Sequence, residues 1–192
     1  MTSTDDAQNT PNEEEDFKFV APAQKNINEI LEADKDDPSL QKYKEKLLGE
    51  ATNVIIDPSV KERVIVRTIT LLFEDQKVKP LTQTLPPSSS FTLKVKEDEK
   101  YRIQFQFHVQ REIVCGLKYF HKVSRMVPVA KEQYMIGSYP PSKDLVTFVT
   151  PWETAPSGLL ARGSYKIQSK IMDDDKHLYS DFTWTLEIAS SW

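Results

Sequence analysis

The sequence has a single cysteine, Cys115, so no intramolecular disulfide can form, and a lone thiol suits a reducing compartment. It has five glycines, and none of them builds a phosphate-cradling loop. Its three histidines, His108, His121 and His177, are scattered, and neither a His-Glu-x-x-His nor a Gly-x-Ser-x-Gly pattern occurs. These absences argue against an enzyme. No run of about 18 apolar residues is present, so nothing reads as a membrane span. Met1-Thr-Ser-Thr-Asp-Asp6 lacks the basic and apolar regions of a secretory signal, and Ser190-Ser-Trp192 is no lipidation motif, which predicts a cytoplasmic protein. No basic stripe with interleaved aromatics points to nucleic acid.

What is present is an uneven distribution of charge. The chain carries 29 acids and 25 bases, net −4. Residues 1–50 hold 13 acids and 6 bases, net −7, which leaves 16 acids and 19 bases, net +3, for the remainder. An acidic arm on a mildly basic body predicts attraction between the two, or a partner with basic patches. Residues 1–16 have six acids, no base and no large apolar side chain beyond Met1, and disorder is expected there. The body, in a chain that is 39% hydrophobic overall, is long enough to bury a core.

Between about 26 and 49 the pattern predicts a helix-turn-helix. Ile27, Ile30 and Leu31 fall on one helical stripe, with Asn26 and Glu29 at capping-box spacing. A second helix is expected to start at Asp37 as N-cap, with Pro38 at the first helical position and Gly49 at the end. Leu40, Tyr43 and Leu47 share its face. Neither piece reaches the roughly 12–15 residues an isolated helix needs, so both require a surface, either the body or a partner.

From Val64 the period becomes two. Phe91-Leu93-Val95, Tyr101-Ile103-Phe105-Phe107-Val109, Tyr165-Ile167-Ile171 and Phe182-Trp184-Leu186-Ile188 alternate with polar residues. Less regular strands are expected at about 64–73, 79–84, 112–123, 132–137 and 145–149, separated by Pro-, Ser- and Asp-rich turns. About eight strands with no helix among them predict an all-β fold: an immunoglobulin-like antiparallel β-sandwich over 56–192, preceded by a partly disordered helical arm over 1–55. The Asp173-Asp-Asp175 run reads as a solvated hairpin tip, because adjacent carboxylates diverge and no ligand-spaced loop surrounds them; no metal is expected. Leu71, Leu93, Tyr101, Ile103, Phe105, Ile113, Leu117, Tyr134, Ile167 and Trp184 are candidates for the space between the sheets. The residues alone leave open whether they fill it or line a cavity.

The arm and several blocks of the body resemble the Rho GDP-dissociation inhibitors. The matching stretches are Ala23-Gln-Lys25, Asp34-Lys-Asp-Asp37, Lys42-Tyr-Lys-Glu45, Leu47-Leu-Gly49, Tyr101-Arg-Ile103, Arg111-Glu-Ile-Val114, Gly137-Ser-Tyr139, Ala161-Arg-Gly-Ser-Tyr165 and Asp173-Asp-Asp-Lys176. The resemblance implies a non-enzymatic regulator of prenylated Rho-family small GTPases, binding one to one as a monomer without stable membrane association. It implies that Asp37, Leu40, Tyr43 and Leu47 of the arm, with Asp174 and Asp175, contact the GTPase. It also implies that the ten core candidates include the lining of a geranylgeranyl pocket, the prenyl group being the partner's and no cofactor being needed. Trp184 matches a family pocket tryptophan, while Phe182 stands where a second tryptophan is common. The alternative is a general prenyl carrier resembling the phosphodiesterase delta subunit, which would need only the lipid.

Overall fold

In the computed structural model the described residues are 29, 37–39, 54–125 and 128–192, the side chains of 128 and 129 excepted. The expected disorder of 1–16 and most of the helix-turn-helix, Leu40, Tyr43 and Leu47 included, lie outside them. Glu29, Pro38 and Ser39 are helical. Asp37 Oδ1 accepts from the Ser39 amide at 2.9 Å. That is the cap expected of Asp37, closing one of the free donors at a helix start.

The body is two five-stranded sheets. The first has the order β2 (Leu81–Thr84), β1 (Val64–Phe73), β4 (Lys100–Val109), β7 (Val146–Val149), with the two-residue β8 (Glu153–Thr154) also on β4. The second runs β3 (Thr92–Lys96), β10 (Leu178–Ala189), β9 (Gly163–Met172), β5 (Val114–Ser124), β6 (Pro128–Tyr139). The all-β sandwich is as expected. One pair departs from the antiparallel expectation: β3 runs parallel to β10. The turn at 97–100 passes the chain from β3 in one sheet to β4 in the other, so β3 has no hairpin neighbour and lies along β10 instead.

Strict alternation in sequence produces strict alternation in burial. On β4, Tyr101, Ile103, Phe105, Phe107 and Val109 are buried and the residues between them are not. On β10, Phe182, Trp184, Leu186 and Ile188 do the same. β1 hides its alternation behind a bulge. Val64 and Val66 face inward on even numbers, Ile69, Leu71 and Phe73 on odd ones, and the register against β4 slips between Val66 and Thr68. One extra residue there reverses the phase and keeps both halves apolar-side in.

A second slip sits on β5 between Val114 and Leu117. Gly116 there has φ +61, and its amide is bonded to Ser138 Oγ at 2.9 Å. The bulge puts Val114 and Leu117 inside, whereas Ile113 is half-buried before the strand begins and does not join the core cluster. That corrects the placement of Ile113 between the sheets: the strand expected from about 112 begins at Val114, and the bulge after it sets which residues face inward. A Cβ on Gly116 would lie 1.8 Å from Asp174 Oδ2. Gly116→Ala therefore combines a left-handed backbone with a clash, and is expected to lower stability by about 1–3 kcal/mol in urea unfolding. An unchanged midpoint would contradict this reading of the bulge.

Candidate functional site

The inner faces of the two sheets meet in one buried cluster. Of the ten residues expected between them, Leu71, Leu93, Tyr101, Ile103, Phe105, Leu117, Ile167 and Trp184 belong to it, and Tyr134 packs against it half-buried. At the β3–β10 side Phe91 stacks on Trp184, ring centres 5.9 Å apart and planes 3° apart, and on Phe182 at 6.3 Å. Phe91 was not among the expected site residues. Its signal was present in the Phe91-Leu93-Val95 alternation, which continues the inward row of β3 by one step. Across the middle, Phe105 of β4 meets Tyr119 of β5 edge-on at 4.6 Å, an aromatic contact between the sheets.

A line of polar groups runs through this apolar interior. The Trp184 indole N–H donates to Ser169 Oγ at 3.0 Å, Ser169 Oγ lies 3.1 Å from the Tyr119 hydroxyl, and that hydroxyl lies 2.7 Å from His121 Nδ1. Burial pushes the Tyr119 phenol up, so it keeps its proton and donates to Nδ1. His121 is then the neutral tautomer with its proton on Nε2. Burial pulls its pKa down to about 4, against a weaker opposing pull from the Glu132 charge. Each donor has one acceptor, which is what lets these groups occupy inward positions. Sequence reasoning passed over Ser169 and Tyr119 because a serine at an inward position breaks the apolar alternation.

At the other open side, Glu153 on β8 accepts from Tyr101 of the first sheet at 3.2 Å and from Tyr134 of the second at 3.1 Å. The Tyr134 hydroxyl also bonds Glu132, so one proton serves two carboxylates. Burial first, then the Glu132 charge, raises the Glu153 carboxyl pKa above its ordinary value, while the tyrosine hydrogen bonds pull it back. Two tyrosines and a carboxylate thus join the sheets where no backbone does.

The end at which the arm enters the body is fastened by Gln110. Its side chain is fully buried and all four of its amide hydrogen-bonding positions are used. Oε1 accepts from the amides of Ile56 and Asp57 at 3.0 and 3.1 Å, and Nε2 donates to the carbonyls of Val60 and Glu62 at 2.8 and 2.9 Å. The left-handed Arg111 that follows donates its own amide to the Val54 carbonyl at 2.9 Å. The acidic turn lies at the same end but is not uniformly solvated. Asp173 is buried, ion-paired to Arg63 at 3.0 Å, and accepts from the Tyr179 hydroxyl at 2.6 Å and the His177 amide at 2.9 Å. The solvated-tip expectation fails for Asp173, whose carboxylate is compensated inside the fold, and holds for Asp174 and Asp175, which are exposed. Asp174 pairs with Lys118 at 2.5 Å.

Comparison with known proteins gives a consistent result. The family described as "RHO protein GDP dissociation inhibitor" matches residues 3–191. The chain is 44% identical over 188 residues to a probable rho GDP-dissociation inhibitor of Caenorhabditis elegans, covering 96% of this chain and 98% of that one. It is 43% identical over 184 residues to Rho GDP-dissociation inhibitor 1 of Homo sapiens, covering 94% and 89%.

The polar line makes a pH prediction. The unfolded His121 takes a proton near 6.5, the native one only near 4. Between those values the unfolded chain holds the extra proton, so stability falls as pH drops through this window, by about 3 kcal/mol in all. Glu153, with its raised pKa, acts in the opposite sense. His121→Asn, which keeps an acceptor for Tyr119, is expected to flatten the fall in urea midpoint from pH 7 to pH 4.5. An equally steep fall in the variant would remove His121 as its source.

Proposed function

The chain belongs to the Rho GDP-dissociation inhibitor family, and from that premise we propose that it binds GDP-bound, geranylgeranylated Rho-family GTPases one to one. In this reading it acts as a cytoplasmic monomer, taking the prenyl chain between its sheets, blocking nucleotide release with its arm and lifting the GTPase from membranes. The observation that supports the lipid half most directly is the β3–β10 side of the sandwich. No strand ladder joins the two sheets there, and Phe91, Phe182 and Trp184 of the second sheet stack as an aromatic layer on its inner face. Rotating such side chains admits an aliphatic chain without breaking a strand ladder. Leu71, Leu93, Ile103, Leu117 and Ile167 then supply the wall.

A pocket alone is not enough. At about 0.8 kcal/mol per buried CH₂, a C20 chain has on the order of 10–16 kcal/mol of transfer energy, and an interior as apolar as the bilayer only matches it. Net extraction requires a second set of contacts, which in this reading come from the arm and the exposed Asp174 and Asp175. The Gln110 clasp fixes where the arm leaves the body, beside the acidic turn, so arm and pocket act on one partner as tethered sites. Asp37 has two parts: it caps the second helix, and it presents a carboxylate to the GTPase. Leu40, Tyr43 and Leu47 supply the apolar contacts around it.

Extraction of a geranylgeranylated Rho GTPase from liposomes tests the reading, with release expected at equimolar protein and none expected from a chain of another function. Deleting residues 1–50 is expected to leave binding of a prenylated peptide intact and abolish inhibition of GDP release; a general lipid carrier would bind peptide and whole GTPase equally, with or without those residues. Asp37→Ala is expected to weaken GTPase binding about tenfold, part of it through the lost cap, with the unfolding midpoint of the body unchanged. Equal affinity would take Asp37 out of the interface.

A further inference from the structure

The loop between β8 and β9 presents two adjacent leucines to solvent, Leu159 at 81% and Leu160 at 90% exposure. It is not a loose loop. Glu97 accepts from the Gly158 amide at 2.9 Å and takes both Nε and Nη2 of Arg162, at 3.0 and 2.6 Å. Arg125 donates to the carbonyls of Leu160 and Arg162 at 2.6 and 2.7 Å and lies over the Tyr165 ring, whose hydroxyl holds the Ala161 carbonyl at 2.7 Å. A turn fastened by a bidentate carboxylate, a guanidinium and a phenol therefore holds two adjacent apolar side chains in water.

Behind this tip, the outward face of β5, β6 and β9 is basic. Lys122, Lys131 and Lys166 point away from the core and form no ion pair among the described residues. Lys122 stands opposite Lys131, and Lys166 opposite Ser124, the residue before Arg125. Lys122 and Lys131 rim a shallow recess lined by Phe120 and Met172, together with Lys170, whose charge is met by Asp181 at 2.8 Å. Asp98 and Glu99 beside Glu97 fall on the β3–β10 side, while Glu187 on β10 stands opposite Ser164, two residues from Lys166 on the same outward face, and offsets part of its charge. β9 has ten residues, about 30 Å at strand rise, and runs from the leucine tip to the acidic turn where the arm leaves. The two ends of the sandwich are thus chemically distinct.

We propose that Leu159 and Leu160, with the Lys122–Lys131–Lys166 face behind them, are a docking tip for the anionic surface of a lipid bilayer. This deepens the carrier reading and rests on it. The leucines dip into the acyl boundary while the lysines lie over the anionic headgroups, the division of labour of an interfacial anchor. Two leucines and three lysines give a weak, reversible contact. They hold one end of the sandwich against the membrane that contains the prenyl chain, while the arm and acidic turn engage the GTPase about 30 Å away. Docking in this way concentrates the sandwich at the surface it must extract from.

The test uses the full chain, its Leu159→Ser/Leu160→Ser variant, and vesicles of phosphatidylcholine with or without phosphatidylserine. The wild-type chain is expected to sediment with the anionic vesicles, less so in high salt. The variant is expected to partition about tenfold less and to extract a geranylgeranylated GTPase correspondingly more slowly. Its affinity for a geranylgeranylated peptide in solution, and its urea midpoint, should match wild type, since both leucines are exposed. Lys122→Glu/Lys131→Glu/Lys166→Glu should abolish the salt sensitivity. A leucine variant that partitions and extracts like wild type would overturn the proposal. So would one that loses peptide affinity instead, because the tip would then belong to the prenyl site. Vesicle binding without any extraction by the wild type would leave the tip standing and remove the carrier reading on which its purpose rests.

Discussion

The two sheets of this molecule share no backbone ladder, and what joins them is side chains. Tyr119 against Phe105 bridges the gap through packing, and Glu153 bridges it through two tyrosine hydroxyls. A sandwich joined in this way is rigid within each sheet and adjustable between them. Side chains change rotamer at a cost of a few contacts, whereas a strand pair cannot be opened without leaving buried amides unpaired. On the proposed function, an interior that is full in the free protein and takes up a lipid in the loaded one has to be built on the adjustable direction.

The polar line from Trp184 through Ser169 and Tyr119 to His121 gives that interior a fixed floor. Its groups sit on β5, β9 and β10, all in the second sheet, and each depends on the next for its hydrogen bond. On the proposed function, the groups that open for the ligand are to be sought among the purely apolar ones around this line. The two ends of the body are equally specialised. One is locked by Gln110 and Asp173, which spend buried polar capacity to fix the arm's point of departure; the other holds two leucines out in water at the expense of Glu97, Arg125 and Arg162.

Much of this was legible in the sequence where the period was unbroken. β4 and β10 could be read residue by residue, and of the eight expected core residues that lie in the buried cluster, six are on strands that keep strict alternation. What sequence could not show were events that depend on a second strand. The bulge at Arg67 reverses phase without a local signature, whereas the one on β5 is marked by Gly116, just after the strand start that leaves Ile113 outside. The parallel β3–β10 pair follows from a crossover between sheets, not from the residues of either strand. Asp173 looked like its two neighbours until Arg63, 110 positions away, was found beside it. Ser169 was unremarkable as a serine and acquires meaning only from Trp184 and Tyr119.

The most direct test of the central claim is a methyl-resolved nuclear magnetic resonance titration of the free chain with a geranylgeranylated cysteine peptide. The inward methyl groups of Leu71, Ile103, Leu117 and Ile167 are expected to shift together and to show contacts to the isoprenoid, with backbone amides in the strand ladders still protected from exchange. Unmoved inward methyls, with the peptide bound on the outer surface, would mean that the sheets do not part and that the sandwich is not the prenyl site.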